Sequence, residues 1–324
     1  MKKIERIILN SAPIQILVQW SKKIVLPGFE QVPLYDVIVF FIEEIKKEGL
    51  TERASAIAFN FIMAIPPTCL FLFTLIPHLP FLPKASIQRQ LNGLIRDIIP
   101  AREHNTNLIH FVDSFFSENR IGLLSFGFIL LLFFASNGMM GLMRSFNKTT
   151  AGFIKRTGLQ ARWTAIRLTA IIMGLLLACL LLLITQGVVM KWLGMQSKLL
   201  ISFLNVFRWI FMLALIYFTF GFIYKYAPAI QKRWRLASPG TIIGSFLSVL
   251  LTFGFSIFVN NFGKYNALYG SIGTVIVLMI LIYLNSLVLI IGYELNASIH
   301  SIKAMAEERT RIEEELLPEN NIKD

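Results

Sequence analysis

From Asn119 to Tyr293 the chain contains no aspartate or glutamate, yet arginines and lysines recur through the same stretch. Arg144, Lys148, Lys155, Arg156 and Arg162 lie close together in sequence, as do Lys225, Lys232, Arg233 and Arg235. Cations without counter-ions suit phosphate, which the planar guanidinium fork binds best. Two readings are open. Basic residues beside membrane spans set topology and hold anionic headgroups, each contributing about 1 kcal/mol near the surface. Alternatively, Arg144, Lys155, Arg156 and Arg162 form a site for the phosphate of a lipid substrate. Nucleic acid is not expected as a partner, because no recognised binding motif or aromatic-interleaved groove accompanies the basic residues.

Hydrolytic chemistry is poorly served. Phosphodiester cleavage commonly needs clustered metal ligands or a histidine acid and base, and the only histidines are His78, His104, His110 and His300. There is no HExxH, paired Cys-x-x-Cys, Walker loop or GxSxG element. His78, His104, His110, Asp97, Glu103 and Asp113 form one conceivable metal set, but they are spaced as ordinary loop residues. No catalytic residue, metal or cofactor is expected. A proton-driven carrier would commonly bury acids in its spans, and Glu294, at the edge of the last apolar block, is a poor start for a relay.

These residues are set in a chain of 324 residues, 55% hydrophobic and only 15% charged, with net charge +12 and mean hydropathy +0.64. Soluble proteins carry roughly 25% charged residues, so an ordinary water-soluble enzyme is excluded first. The apolar residues fall in blocks at 56–77, 121–143, 168–190, 209–224, 241–262 and 271–293. Each approaches the roughly twenty residues a helix needs to cross hydrocarbon. The fold expected is all-α, a polytopic membrane protein of six transmembrane helices. Extending the short fourth block means including Arg208, whose stem can carry its charge to the headgroups. Polar interruptions at Pro13, Gln15, Gln19, Lys22 and Lys23 argue against a cleavable signal, so the first span acts as the insertion signal. Cys69 and Cys179 fall inside apolar blocks and read as small core residues.

Six spans place both termini on one side. Leaving aside Arg167 and Arg208 at the edges of the third and fourth blocks, 21 lysines and arginines fall on that side and 8 on the other, so both termini are expected in the cytoplasm. Residues 1–53 read as cytoplasmic amphipathic helices: after Pro33, the residues Leu34, Val37, Ile38, Phe41, Ile42 and Ile45 keep helical spacing. That face is expected to lie in the membrane interface rather than beneath the bundle. Residues 54–300 form the transmembrane domain, with an outer helical cap at 78–120 in which 87–98 and 108–116 each keep one apolar face. Residues 301–324 read as a charged tail whose helix frays.

Inside the spans, Pro66 and Pro67 remove two backbone donors, which predicts a kink or a break that could line a cavity. Gly240, Gly244 and Ser248, and Gly138, Gly141 and Ser145, read as helix-packing positions. Asn137, Asn285, Glu294 and Asn296 must face protein or water. Asn260, Asn261, Phe262, Gly263, Lys264, Tyr265 and Asn266 form a short polar connection, either a simple turn or a re-entrant mouth.

Several of these segments together resemble the YihY/BrkB family. They are Ala58-Phe59-Asn60-Phe61 with Pro66-Pro67, Ser136-Asn137-Gly138 through Arg144-Ser145-Phe146-Asn147, and Tyr226-Ala227-Pro228 with Arg233-Trp234-Arg235 and Pro239-Gly240. Tyr269-Gly270-Ser271-Ile272-Gly273 and Gly292-Tyr293-Glu294-Leu295-Asn296 complete the set, in order across roughly residues 50–300. The resemblance implies a six-helix bacterial inner-membrane protein, from a family linked by name to serum-resistance virulence and once labelled a tRNA-processing ribonuclease. It also points toward lipid or envelope transport. This chain departs from the family pattern at Asn60, where tyrosine is common, at Ala64, where serine is common, and in the Pro66-Pro67 doublet. A role resting on first-helix hydroxyls therefore does not carry over.

The expected function is transport or flipping of lipid or another amphiphile for envelope maintenance, with a non-catalytic scaffold or assembly factor as the alternative and a ribonuclease behind both. The candidate substrate-binding residues are Asn60, Pro66, Pro67, Asn137, Arg144, Asn147, Arg156, Arg162, Asn260, Tyr265, Tyr269, Asn285 and Glu294. Expected partners are membrane lipids, anionic phospholipid above all, with envelope proteins and a second copy of the chain also possible.

Overall fold

The computed structural model describes residues 12–47, 49–75, 121–147, 156–192, 198–261 and 271–316, together with 78, 88–89, 109–110, 113–114 and 153–154. Eight helices account for most of them: α1 (Ala12–Lys23), α2 (Leu34–Lys47), α3 (Leu50–Leu75), α4 (Ile121–Ser145), α5 (Gly158–Trp192), α6 (Lys198–Tyr226), α7 (Pro239–Asn261) and α8 (Ser271–Leu316). The last six contain stretches long and apolar enough to cross a membrane. The all-α six-span architecture expected from the apolar blocks is therefore the one observed.

Each long helix packs on its neighbour in sequence, and α8 returns to pack on α3, closing a ring of six. Within the apolar windows of these helices only 17–28% of residues are buried. A single ring leaves most of each helix facing outward, and large apolar residues such as Phe59, Phe126, Phe246 and Phe253 are exposed there. Hydrocarbon is the solvent that suits such a surface. Cys69 also lies on an exposed face of α3, so it is not the core residue that its apolar block suggested.

The core gathers at the end where α3 begins and α8 leaves, here called the base. Ala54 and Ile57 of α3, Leu142 and Phe146 of α4, and Ala165 and Leu168 of α5 meet Ile223 and Tyr224 of α6 and Ile290 and Tyr293 of α8. Loops add to it. Ile154 N–H donates to the Ala229 carbonyl at 2.8 Å and Phe153 bridges Ile230, stitching the connection before α5 to the one after α6.

The helix of the last span continues to Leu316 without a break, so the charged segment after His300 extends α8. The amphipathic α2 does not simply lie in the interface. Its Val37 is buried against Phe29, Val32 and Ile299, while Ile38, Val39 and Ile42 remain exposed. One apolar edge thus packs beneath the ring on α8 and the other is left for the interface. In the outer cap the described pairs 88–89, 109–110 and 113–114 are helical, and Gln88 donates to Asp113 at 2.7 Å; the rest of 79–120 lies outside the described residues.

Candidate functional site: the polar base of the helix ring

Polar groups in a dry bundle have to satisfy one another, because an unmatched buried charge or amide costs several kcal/mol. At the base many of them do so, in four clusters.

The first joins α3, α4 and α8. Glu294 is buried and pairs with Arg53, whose Nη1 stands 2.8 Å from its Oε1. The Nη2 of Arg53 also donates to the Ser145 carbonyl. One residue before Glu294, the Tyr293 hydroxyl donates to the Phe146 carbonyl at 2.5 Å and its ring stacks on Phe146 at 3.9 Å. The guanidinium and the phenol therefore satisfy carbonyls at the end of α4, which has run out of N–H donors. Of these residues only Glu294 was among the sequence candidates. A lone carboxylate at the end of an acid-free stretch needs a cation, and Arg53 opens the first span; that signal was legible.

The second cluster brings together two candidates 25 residues apart. Arg162 Nη1 donates to Asn137 Oδ1 at 2.5 Å, and the guanidinium sits 5.5 Å from the centre of the Phe133 ring. Phe133, Asn137 and Arg144 share one stripe of α4 by their i, i+4 and i+11 spacing. Arg162 remains half-exposed, and Phe133, Trp163, Arg144 and Asn147 are exposed. This group looks outward from the ring at its base.

The third cluster gives Arg156 a different task from holding a headgroup. Its guanidinium donates to the carbonyls of Tyr226 (3.2 Å), Ala227 (2.9 Å) and Pro228 (2.8 Å), closing the end of α6. A fork of donors directed at an orphaned helix C-terminus is a stabilising arrangement. Burial, and secondarily the nearby Arg233, lower the Arg156 pKa below its ordinary value. Lys155 lies outside the described residues.

The fourth cluster locks α7 to α8. A Cβ on Gly240 would overlap the Gly292 carbonyl oxygen, so only glycine allows these backbones to meet. Asn296 then accepts from the Gly240 N–H at 2.8 Å and donates to Ser238 at 2.8 Å, while Tyr224 donates to the Leu289 carbonyl at 2.8 Å. Deeper along the same pair, Ser248 donates to Asn285 at 2.6 Å. The small-residue spacing pointed to this packing; Tyr224 and Ser238 carried no comparable signal.

The remaining candidates are dispersed. Asn60 donates to Ala56 of its own helix at 2.7 Å and lies over Gly141, so it serves the α3–α4 contact. Pro66 and Pro67 sit within an unbroken α3, one exposed and one buried, and no broken helix is formed. Asn260 falls in the last turn of α7; its side chain, Tyr265 and Tyr269 lie outside the described residues, as do His104, Asp97 and Glu103. Among the described residues no three His, Cys, Asp or Glu side chains converge as a metal would require.

Below α7 and α8 the base also holds an open cavity of about 730 Å³, walled by the turn at Gly28–Gln31, the loop at Gln231–Pro239 and α8 from Asn296 to Glu307.

The sequence pattern of the family described as Virulence factor BrkB matches residues 41–316. The ribonuclease-like protein YfkH of Bacillus subtilis is 32% identical over 266 residues, which cover 81% of this chain and 94% of that protein. A UPF0761 membrane protein of Chromohalobacter salexigens is 26% identical over 77% of this chain and 59% of its own length. One from Aeromonas salmonicida is 35% identical over 79 residues, 24% of this chain and 27% of that protein. No solved structure matches.

Proposed function

The chain belongs to the virulence factor BrkB family of membrane proteins, and on that premise we propose that it moves anionic lipid across the bacterial inner membrane, with the base of the ring facing the cytoplasm. The observation that carries the reading is the Arg162–Asn137 pair. Asn137 holds the guanidinium at the base of the ring, beside exposed Phe133 and two helical turns from exposed Arg144. A phosphate there meets a preoriented fork of donors, and acyl chains meet the exposed aromatic surface of α4 and α5. The excess of lysine and arginine on this side, 21 against 8, supports the orientation. The protein acts without catalysis: the arginines bind and release an ion and make or break no covalent bond. The ribonuclease-like name of YfkH is a property of that relative.

The test is translocation of labelled phosphatidylglycerol in vesicles containing the purified protein, with Arg162→Ala and Asn137→Ala beside the parent and labelled phosphatidylcholine as the neutral comparison. Protein-dependent movement of the anionic lipid, slowed in both variants, is expected. Rates that are equal with and without protein sink the reading. They would favour a static membrane scaffold, a second reading supported by the unbroken α3 at Pro66-Pro67 and by the closure of the base. RNA cleavage by the same preparation would overturn the non-enzymatic part.

A further inference from the structure

The cavity at the base is unused by the lipid-moving reading, and its chemistry is distinct. Its ionic lining consists of Lys232, Arg233, Arg235 and Lys303 against Glu30 and Glu307. Both carboxylates reach the same cation: Lys303 is 2.9 Å from Glu30 and 3.9 Å from Glu307. Lys232, Arg233 and Arg235 are exposed and have no carboxylate partner among the described residues. Arg233 instead lies over the Tyr226 ring at 5.2 Å. Like charges close together in one lining without a carboxylate partner favour an incoming anion.

The walls are fixed before any ligand arrives. Phe29 and Val32 are buried against α2 and α8, which anchors the turn between them. Gly28, Glu30 and Gln31 all adopt left-handed backbone at φ 89°, 51° and 71°. A Cβ at Gly28 would come within 3.1 Å of the Pro239 ring, so glycine lets the turn close on the start of α7. On the opposite wall, Arg156 ties down the carbonyls leading into the loop, and Asn296 clamps Ser238 and Gly240. Trp234, 8% exposed, lines the cavity between these walls with its indole N–H lacking a hydrogen-bond partner, and its ring meets His300 edge-on at 6.1 Å. A buried donor left unmatched costs about 1–3 kcal/mol, and preorganised walls reduce the cost of ordering on binding.

We propose that this cavity binds a phosphate-bearing ligand, held by Lys232, Arg233 and Arg235, which competes with Glu30 for Lys303. Its volume lies within the range of small-molecule sites, enough for a phosphate with an organic group against Trp234. The ligand's phosphate is either that of a soluble phosphate compound or that of a lipid headgroup. The site goes beyond the Arg162 reading and does not depend on it.

The experiment uses the full-length protein. In neutral detergent it is titrated calorimetrically with inorganic phosphate and with glycerol 3-phosphate. In nanodiscs of phosphatidylcholine with and without phosphatidylglycerol, retained lipid is counted by native mass spectrometry. Lys232→Ala/Arg235→Ala changes only exposed side chains and is expected to weaken binding about tenfold or more. Glu30→Gln removes the competing carboxylate and is expected to tighten it severalfold, a gain that misfolding could not produce. Saturable binding in the titration assigns a soluble phosphate; retention of phosphatidylglycerol alone, lost in the double variant, assigns a headgroup. Binding in neither format, or binding unchanged in both variants, overturns the proposal. Arg162→Ala is carried as a control: it is expected to leave this binding intact, so loss of translocation and loss of cavity binding report on separate sites.

Discussion

Arg53 and Glu294, 241 positions apart in the chain, meet at 2.8 Å where the first and last spans of the ring close on each other. Glu294 is 1% exposed, so its charge is tolerable only while the guanidinium is there. Removing one partner of a buried pair leaves an uncompensated charge and typically costs about 3–5 kcal/mol, whereas replacing both with apolar groups is often neutral. Arg53→Ala is therefore expected to lower the unfolding temperature of the detergent-purified protein sharply, and Arg53→Met/Glu294→Leu to recover most of the loss. A double variant no more stable than Arg53→Ala would show that the pair is not the cause.

Gly240 and Gly292 bring the backbones of α7 and α8 together more closely than any side chain permits. Gly240→Ala must push the helices apart or distort them, an overpacking cost of about 1–3 kcal/mol. Gly174, in α5, has nothing within 4 Å of where a Cβ would stand. Gly174→Ala is expected to match the parent in thermal unfolding while Gly240→Ala falls below it; equal curves for the two would refute the close approach.

Arg156 satisfies three carbonyls with one planar group. A lysine ammonium has the charge but not the fork, so Arg156→Lys is expected to behave nearly as poorly as Arg156→Ala. Hydrogen–deuterium exchange over residues 226–232 is the readout. Faster exchange in both variants is expected, and full protection in Arg156→Lys would count against the geometry.

Asn137 and Arg162 act as one unit if Asn137 serves to orient the guanidinium. Residues in contact do not contribute additively. In the lipid translocation assay, Asn137→Ala/Arg162→Ala is expected to be no slower than Arg162→Ala alone. Multiplying defects would mean that the two residues work independently.

Much of the ring was legible because membrane length and apolar composition act locally: about twenty uncharged residues need no partner to be recognised as a span. The same local logic marked α2 after Pro33 and the small-residue spacing at Gly240. It is silent where a neighbour decides the outcome. Pro66 and Pro67 predict a kink or a break from the backbone alone, and α3 continues through both while packed against α4 and α8. Arg144, Arg156 and Arg162 look equivalent in sequence as cations in an acid-free stretch. In the fold, one is exposed, one closes a helix end and one is held by an asparagine.

What the sequence determined by itself is the solvent of this protein and the sign of its flanking charge, because the first follows from summed transfer energies along the chain and the second from the residue types beside the spans. Only the tertiary structure decided which cations are committed to carbonyls and carboxylates and which remain open around a cavity. That distinction depends on distances of about 3 Å between groups up to 273 residues apart, and the geometry of a contact between residues so distant in the chain leaves no trace in local spacing.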